Sequence, residues 1–106
     1  MAWIYLVSAG IAEVLWASFL KLSEGFTKPG YSVVTILGMV LSFVLLAQAT
    51  KSLPLGTAYG IWTGIGALGA VLVGILFFKE PASAMRLFFV GVLLVGIIGL
   101  KISSPG

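Results

Sequence analysis

The chain has 106 residues, of which 60% are hydrophobic and 8% charged, with a formal charge of +3, a pI near 9.5 and a mean hydropathy of +1.22. A soluble domain of this length needs far more polar surface. With no Cys and no His, disulfides, thiol chemistry, ordinary zinc sites and an imidazole proton shuttle are all excluded, and no metal or cofactor is expected.

The first apolar run, Ala2–Leu20, carries one carboxylate, Glu13, and is closed by Lys21. As a helix it places Glu13 about 16 Å from its start, near the middle of a hydrocarbon layer about 30 Å thick. The run has no basic leader segment and passes into further apolar segments, so it reads as a membrane helix and not as a cleaved signal peptide. Lys21 to Gly30 is polar, with Gly and Pro as breakers. The second run, Tyr31–Thr50, ends at Lys51-Ser52-Leu53-Pro54, and the third, Leu55–Phe78, ends at Lys79-Glu80-Pro81. The fourth, Ala84–Ile102, has Arg86 near its start and Lys101 near its end. Backbone groups in lipid must be satisfied within the segment, so runs of this length are helices. The expected architecture is therefore all-α, one four-helix transmembrane module over residues 1–106.

The six basic residues stand singly at the ends of these runs, which fits anchoring at lipid headgroups and argues against nucleic acid. Lys21, Lys28, Lys79 and Arg86 fall on one side of the membrane. Lys51, Lys101 and the terminal amine fall on the other. So even a balance gives the positive-inside rule little to act on. A homodimer with subunits inserted in both orientations and a single topology set by other cues both remain open.

An ionisable side chain inside a membrane span is costly and marks a substrate path or proton relay by default. The interiors of these runs hold no Lys or Arg, so Glu13 has no obvious structural partner. Its helical neighbours are Ala9, Gly10, Trp16 and Ala17. In the second run Gly38 and Ser42 form a small face with one hydroxyl, and in the third Tyr59, Trp62, Thr63 and Gly66 share a face. A carboxylate, two indoles, a phenol and a hydroxyl can thus converge from three helices on a cation. Aromatic faces attract cations, and a guanidinium engages a carboxylate through two parallel N–H bonds. Taken alone, Ser42 also reads as a packing hydroxyl. Glu24 and Glu80, in short polar loops, read as solvated charges.

Gly56, Gly60 and Gly64 recur at four-residue spacing, as do Gly66, Ala70 and Gly74. Gly64 and Gly66 within one turn suit a helix hinge, and suit close packing equally well. The fourth run has no polar residue between Arg86 and Lys101, so Gly91, Gly96 and Gly99 read as dimer packing.

These residues resemble the small multidrug resistance transporters, and within them the guanidinium exporter branch, over essentially the whole chain. The resemblance rests on Glu13-Val14-Leu15-Trp16-Ala17 with Leu20-Lys21, on Gly25-Phe26-Thr27, and on Lys51 to Tyr59. Trp62-Thr63-Gly64-Ile65-Gly66 and Gly96 to Lys101 complete it. It implies an antiparallel, dual-topology homodimer in a prokaryotic inner membrane that exchanges protons for a guanidinium-type cation. Glu13 would be the shared proton and substrate site, Trp16, Tyr59 and Trp62 its aromatics, and Ser42 its hydroxyl. Trp16-Ala17 resembles the guanidinium branch. Gly60, where the family commonly has Ala, removes a methyl expected beside the site and leaves an exporter of bulkier quaternary ammonium cations as the alternative. A non-transporting membrane assembly protein is the remote alternative. An enzyme is not expected, since there is no nucleophile–base pair, metal cluster or phosphate loop.

Overall fold

The computed structural model describes residues 1–103. Ser104, Pro105 and Gly106, included in the expected module, lie outside the described residues. Four helices follow one another: α1 (Ala2–Leu22), α2 (Pro29–Ala49), α3 (Leu55–Phe77) and α4 (Ala84–Ser103). All four are long and apolar enough to cross a membrane.

The chain's punctuation explains their ends. Pro29 opens α2 at a position whose N–H would be unpaired anyway, so the helix starts before Tyr31. Before α4, the Ser83 hydroxyl accepts the Arg86 N–H at 3.2 Å and caps the first turn. The α1–α2 turn is built around the fully buried Ser23. Its hydroxyl donates to the Leu20 carbonyl at 2.6 Å and accepts the Phe26 N–H at 3.1 Å. Its carbonyl accepts the N–H groups of Thr27 and Lys28. Glu24, Gly25 and Phe26 are all left-handed, with φ of 49°, 74° and 67°. Only Gly25 adopts that conformation without a Cβ penalty, so the Ser23 bonds are what hold its two neighbours there.

The helices form a thin slab of 42 × 34 × 16 Å. In it α1 packs on α2 and α3, and α4 packs on α3 alone. Small residues set these approaches. A methyl on Gly38 would lie 2.7 Å from the Trp16 Cβ, and one on Gly10 would lie 2.6 Å from the Ile65 side chain. The two glycine rows of α3 separate cleanly. Gly60 and Gly64 face Leu100 and Ile97 of α4, whereas Gly66 and Gly69 face Glu13 and Val14 of α1. The core, Leu6, Ala9, Ala49, Leu53, Ala58, Ile61 and Trp62, sits where the first three helices meet, and α4 buries no residue.

Candidate cation-binding site

Glu13 lies about 16 Å along an α1 that is roughly 31 Å long, hence at half-depth. Its carboxylate rests on Gly66 of α3, and any side chain at Gly66 would overlap it. The Glu13 Oε1 and the Trp16 Nε1 are buried, and neither has a hydrogen-bond partner among the described residues. Buried polar atoms are nearly always paired, so an unpaired acceptor and donor one turn apart on one helix single this place out as a candidate site.

Around this face the side chains are locked. The Ser42 hydroxyl donates to the Ala9 carbonyl at 2.7 Å and accepts the Trp62 indole N–H at 2.9 Å. Ser42 is fully buried and Trp62 only 7% exposed. This relay ties α1, α2 and α3 together through one hydroxyl and uses the Trp62 N–H. Tyr59 packs on that ring at 5.6 Å between centroids and Phe43 at 5.7 Å. Tyr59 is 54% exposed and forms the outer edge of the aromatic group.

The order of small and large residues explains the convergence. On α2, Thr35, Gly38 and Ser42 lie along the α1-facing side, and Thr35 spends its hydroxyl on the Tyr31 carbonyl at 2.8 Å. Gly38 lets Trp16 lie against α2, and Gly66 gives the carboxylate room on α3.

Residues 1–93 match the description of the small multidrug resistance protein family. The chain belongs to that family. Among its relatives, the protein named guanidinium exporter of Yersinia pseudotuberculosis is 53% identical over 104 residues, covering 98% of this chain and 100% of that protein. The guanidinium exporters of Salmonella typhimurium and Escherichia coli K12 are 53% and 52% identical, covering 98% of this chain and 99% of each relative.

Within this small multidrug resistance fold, α1, α2 and α3 bring Glu13, Trp16, Ser42 and Trp62 inward, with Tyr59 at the margin. Three residues behave otherwise than the sequence suggests. Thr63 is exposed, one position off the buried face that carries Trp62 and Gly66. Gly60 points to α4, where a methyl would meet Leu100 at 3.0 Å, so its missing methyl widens the α3–α4 contact and not the site. Glu80 is not simply a solvated charge: its carboxylate accepts from the Arg86 guanidinium at 2.7 Å, both side chains are 33% exposed, and it lies against Gly74. Glu24 does fit that reading, pairing with Lys28 at 3.3 Å while both stay mostly exposed. Sequence reasoning missed the Ala9 carbonyl and Phe43. A backbone acceptor leaves no trace in residue type. Phe43 stands beside Ser42 in an apolar run that gives no reason to single it out.

Proposed function

We propose that this chain exports guanidinium and small guanidinyl cations across a prokaryotic inner membrane in exchange for protons, working as a homodimer. The observation that carries this reading is the buried, unpaired Glu13 oxygen at half-depth. One turn along α1 stands Trp16 with its indole N–H free, and one turn along α3 from Gly66 stands Trp62 with its N–H occupied. A guanidinium supplies the donors that the carboxylate lacks, and the flat aromatic faces suit a planar cation. The relatives named guanidinium exporter support the same substrate class.

Coupling follows from one charge. An ionised Glu13 binds a cation and a protonated one does not, so proton and substrate exclude each other. A slab 16 Å thick encloses no path by itself, and the bare face of α4 with Gly91, Gly96 and Gly99 suits a second copy. Near-even charge on the two sides allows that copy to be antiparallel. A bend at Gly64–Gly66 would shift the Ile97 and Glu13 contacts together, which suits a site that opens to alternate sides.

The test is electrical recording on protein reconstituted in liposomes, comparing guanidinium, a substituted guanidinium and tetraethylammonium. Guanidinium is expected to evoke a substrate-dependent current that weakens as the pH falls and vanishes in Glu13→Gln. A tetraethylammonium response equal to the guanidinium response would replace this reading with the broader quaternary ammonium exporter.

A further inference from the structure

A groove of about 510 Å³ lies between α1 and α4, on the outer side of the bundle away from the Glu13 carboxylate. It exists because both helices pack on α3 and not on each other. Ile61 and Ile65 of α3 form its floor, Trp3 and Val7 one wall, and Ile97 and Lys101 the other. The apolar lining extends at least one helical turn inward from a mouth where the Lys101 ammonium lies 5.5 Å from the Trp3 ring centre. That mouth is at the end of α4 and the start of α1, the level at which Lys and Trp meet the headgroup layer.

We infer that this groove seats an anionic phospholipid, with its phosphate on Lys101 and an acyl chain along Ile61, Ile65 and Ile97. The charge at the mouth selects the occupant. A cationic substrate or a cationic amphiphile is repelled by Lys101, whereas an interfacial lysine attracts an anionic headgroup. A second copy of this chain has little to offer that ammonium. Of its three carboxylates, Glu13 sits at half-depth, Glu24 is paired with Lys28 and Glu80 with Arg86. The floor belongs to the same turns of α3 that carry Trp62 and Gly64, so the lipid supports the binding helix from behind. None of this depends on which cation is exported.

The experiment is native mass spectrometry of the full chain, released from detergent after equilibration with equal amounts of phosphatidylglycerol and phosphatidylcholine. The wild type and Lys101→Arg are expected to retain phosphatidylglycerol about fivefold over phosphatidylcholine, the weight of one interfacial cation. Lys101→Gln loses that preference. Val7→Phe, which narrows the groove without touching the charge, lowers retention of both lipids. No retained lipid in the wild type, an unchanged preference in Lys101→Gln, or full retention in Val7→Phe each overturns the proposal.

Discussion

The α1–α3 seam and α4 use the same residue type for opposite ends. Along the seam every glycine is filled from across the interface: Gly10 by Ile65, Gly66 by the Glu13 carboxylate, Gly69 by Val14. On α4, a methyl at Gly91, Gly96 or Gly99 would meet nothing within 4 Å. The seam is thus complete within one chain, and its glycines buy close approach around a buried charge. The α4 face is a surface without a counterpart in the single chain, and Leu87, Phe88, Val92, Val95 and Ile98 on it remain exposed. Small residues in a membrane helix therefore report a close neighbour only when something large stands opposite.

The strongest way to break this contrast is to add one methyl at each place. Gly66→Ala drives a Cβ into the Glu13 side chain, and overpacking of this kind costs about 1–3 kcal/mol. We expect guanidinium-evoked current to fall by about tenfold or more, since the group displaced is the carboxylate proposed to bind the cation. Gly91→Ala adds a methyl in open space and removes the helix-propensity penalty of glycine, about 1 kcal/mol. Thermal unfolding in detergent should move down for the first variant and level or slightly up for the second. Chemical crosslinking should then show whether Gly91→Ala loosens the proposed pairing of two copies. Equal losses of stability in both would erase the distinction.

Next in size is Ser42→Ala. The sequence reading treats this hydroxyl as an acceptor for guanidinium N–H groups, which predicts a loss for guanidinium only. The bonds observed point elsewhere: the hydroxyl is spent on Ala9 and Trp62, so removing it orphans a buried indole N–H and takes from the Ala9 carbonyl its second donor, beside the one inside the helix. Leaving such a group unpaired costs about 1–3 kcal/mol. The expected result is weaker binding of every cation the aromatic face holds, together with a red shift and faster quenching of tryptophan fluorescence. A loss confined to guanidinium, with unaltered fluorescence, would restore the direct role.

How far the sequence reached follows from the same physics. Run length, breakers and terminal charges placed four helices, because a hydrocarbon layer demands apolar segments of one length. Glu13 was legible for the same reason, as a charge where charges are expensive. The facing of α3 was not. Its rows at 56-60-64 and 66-70-74 look alike along the chain, yet Gly60 and Gly64 of the first meet α4, whereas in the second Gly66 meets α1 and Gly74 meets Glu80. Which side each row faces depends on partners that are distant in sequence, and so Gly60 seemed to border the site when it borders Leu100. Thr63 failed in the same way, by a rotation of one position around the helix axis.

The smallest contrast sets two loop carboxylates against each other. Glu24 and Glu80 look alike by sequence, each in a short polar connection, Glu24 before a glycine and Glu80 between Lys79 and Pro81. In the fold, Glu24 holds Lys28 at 3.3 Å in the open, whereas Glu80 holds a guanidinium at 2.7 Å with its carboxylate against Gly74. The Glu80 backbone N–H also bonds the Gly74 carbonyl at 3.0 Å, so this pair fixes the α3–α4 connection to the end of α3. An exposed pair within one turn of chain contributes at most a few tenths of a kcal/mol, and a partly covered, charge-assisted Arg–carboxylate bond contributes about 1 kcal/mol. Glu80→Gln should therefore lower the unfolding midpoint measurably, and the loss should shrink in high salt. Glu24→Gln should leave the midpoint within error at any salt. Because Lys79 is left-handed, with φ of 56°, freeing this loop also releases backbone strain, which holds the expected loss for Glu80→Gln at or below that of the ion pair alone.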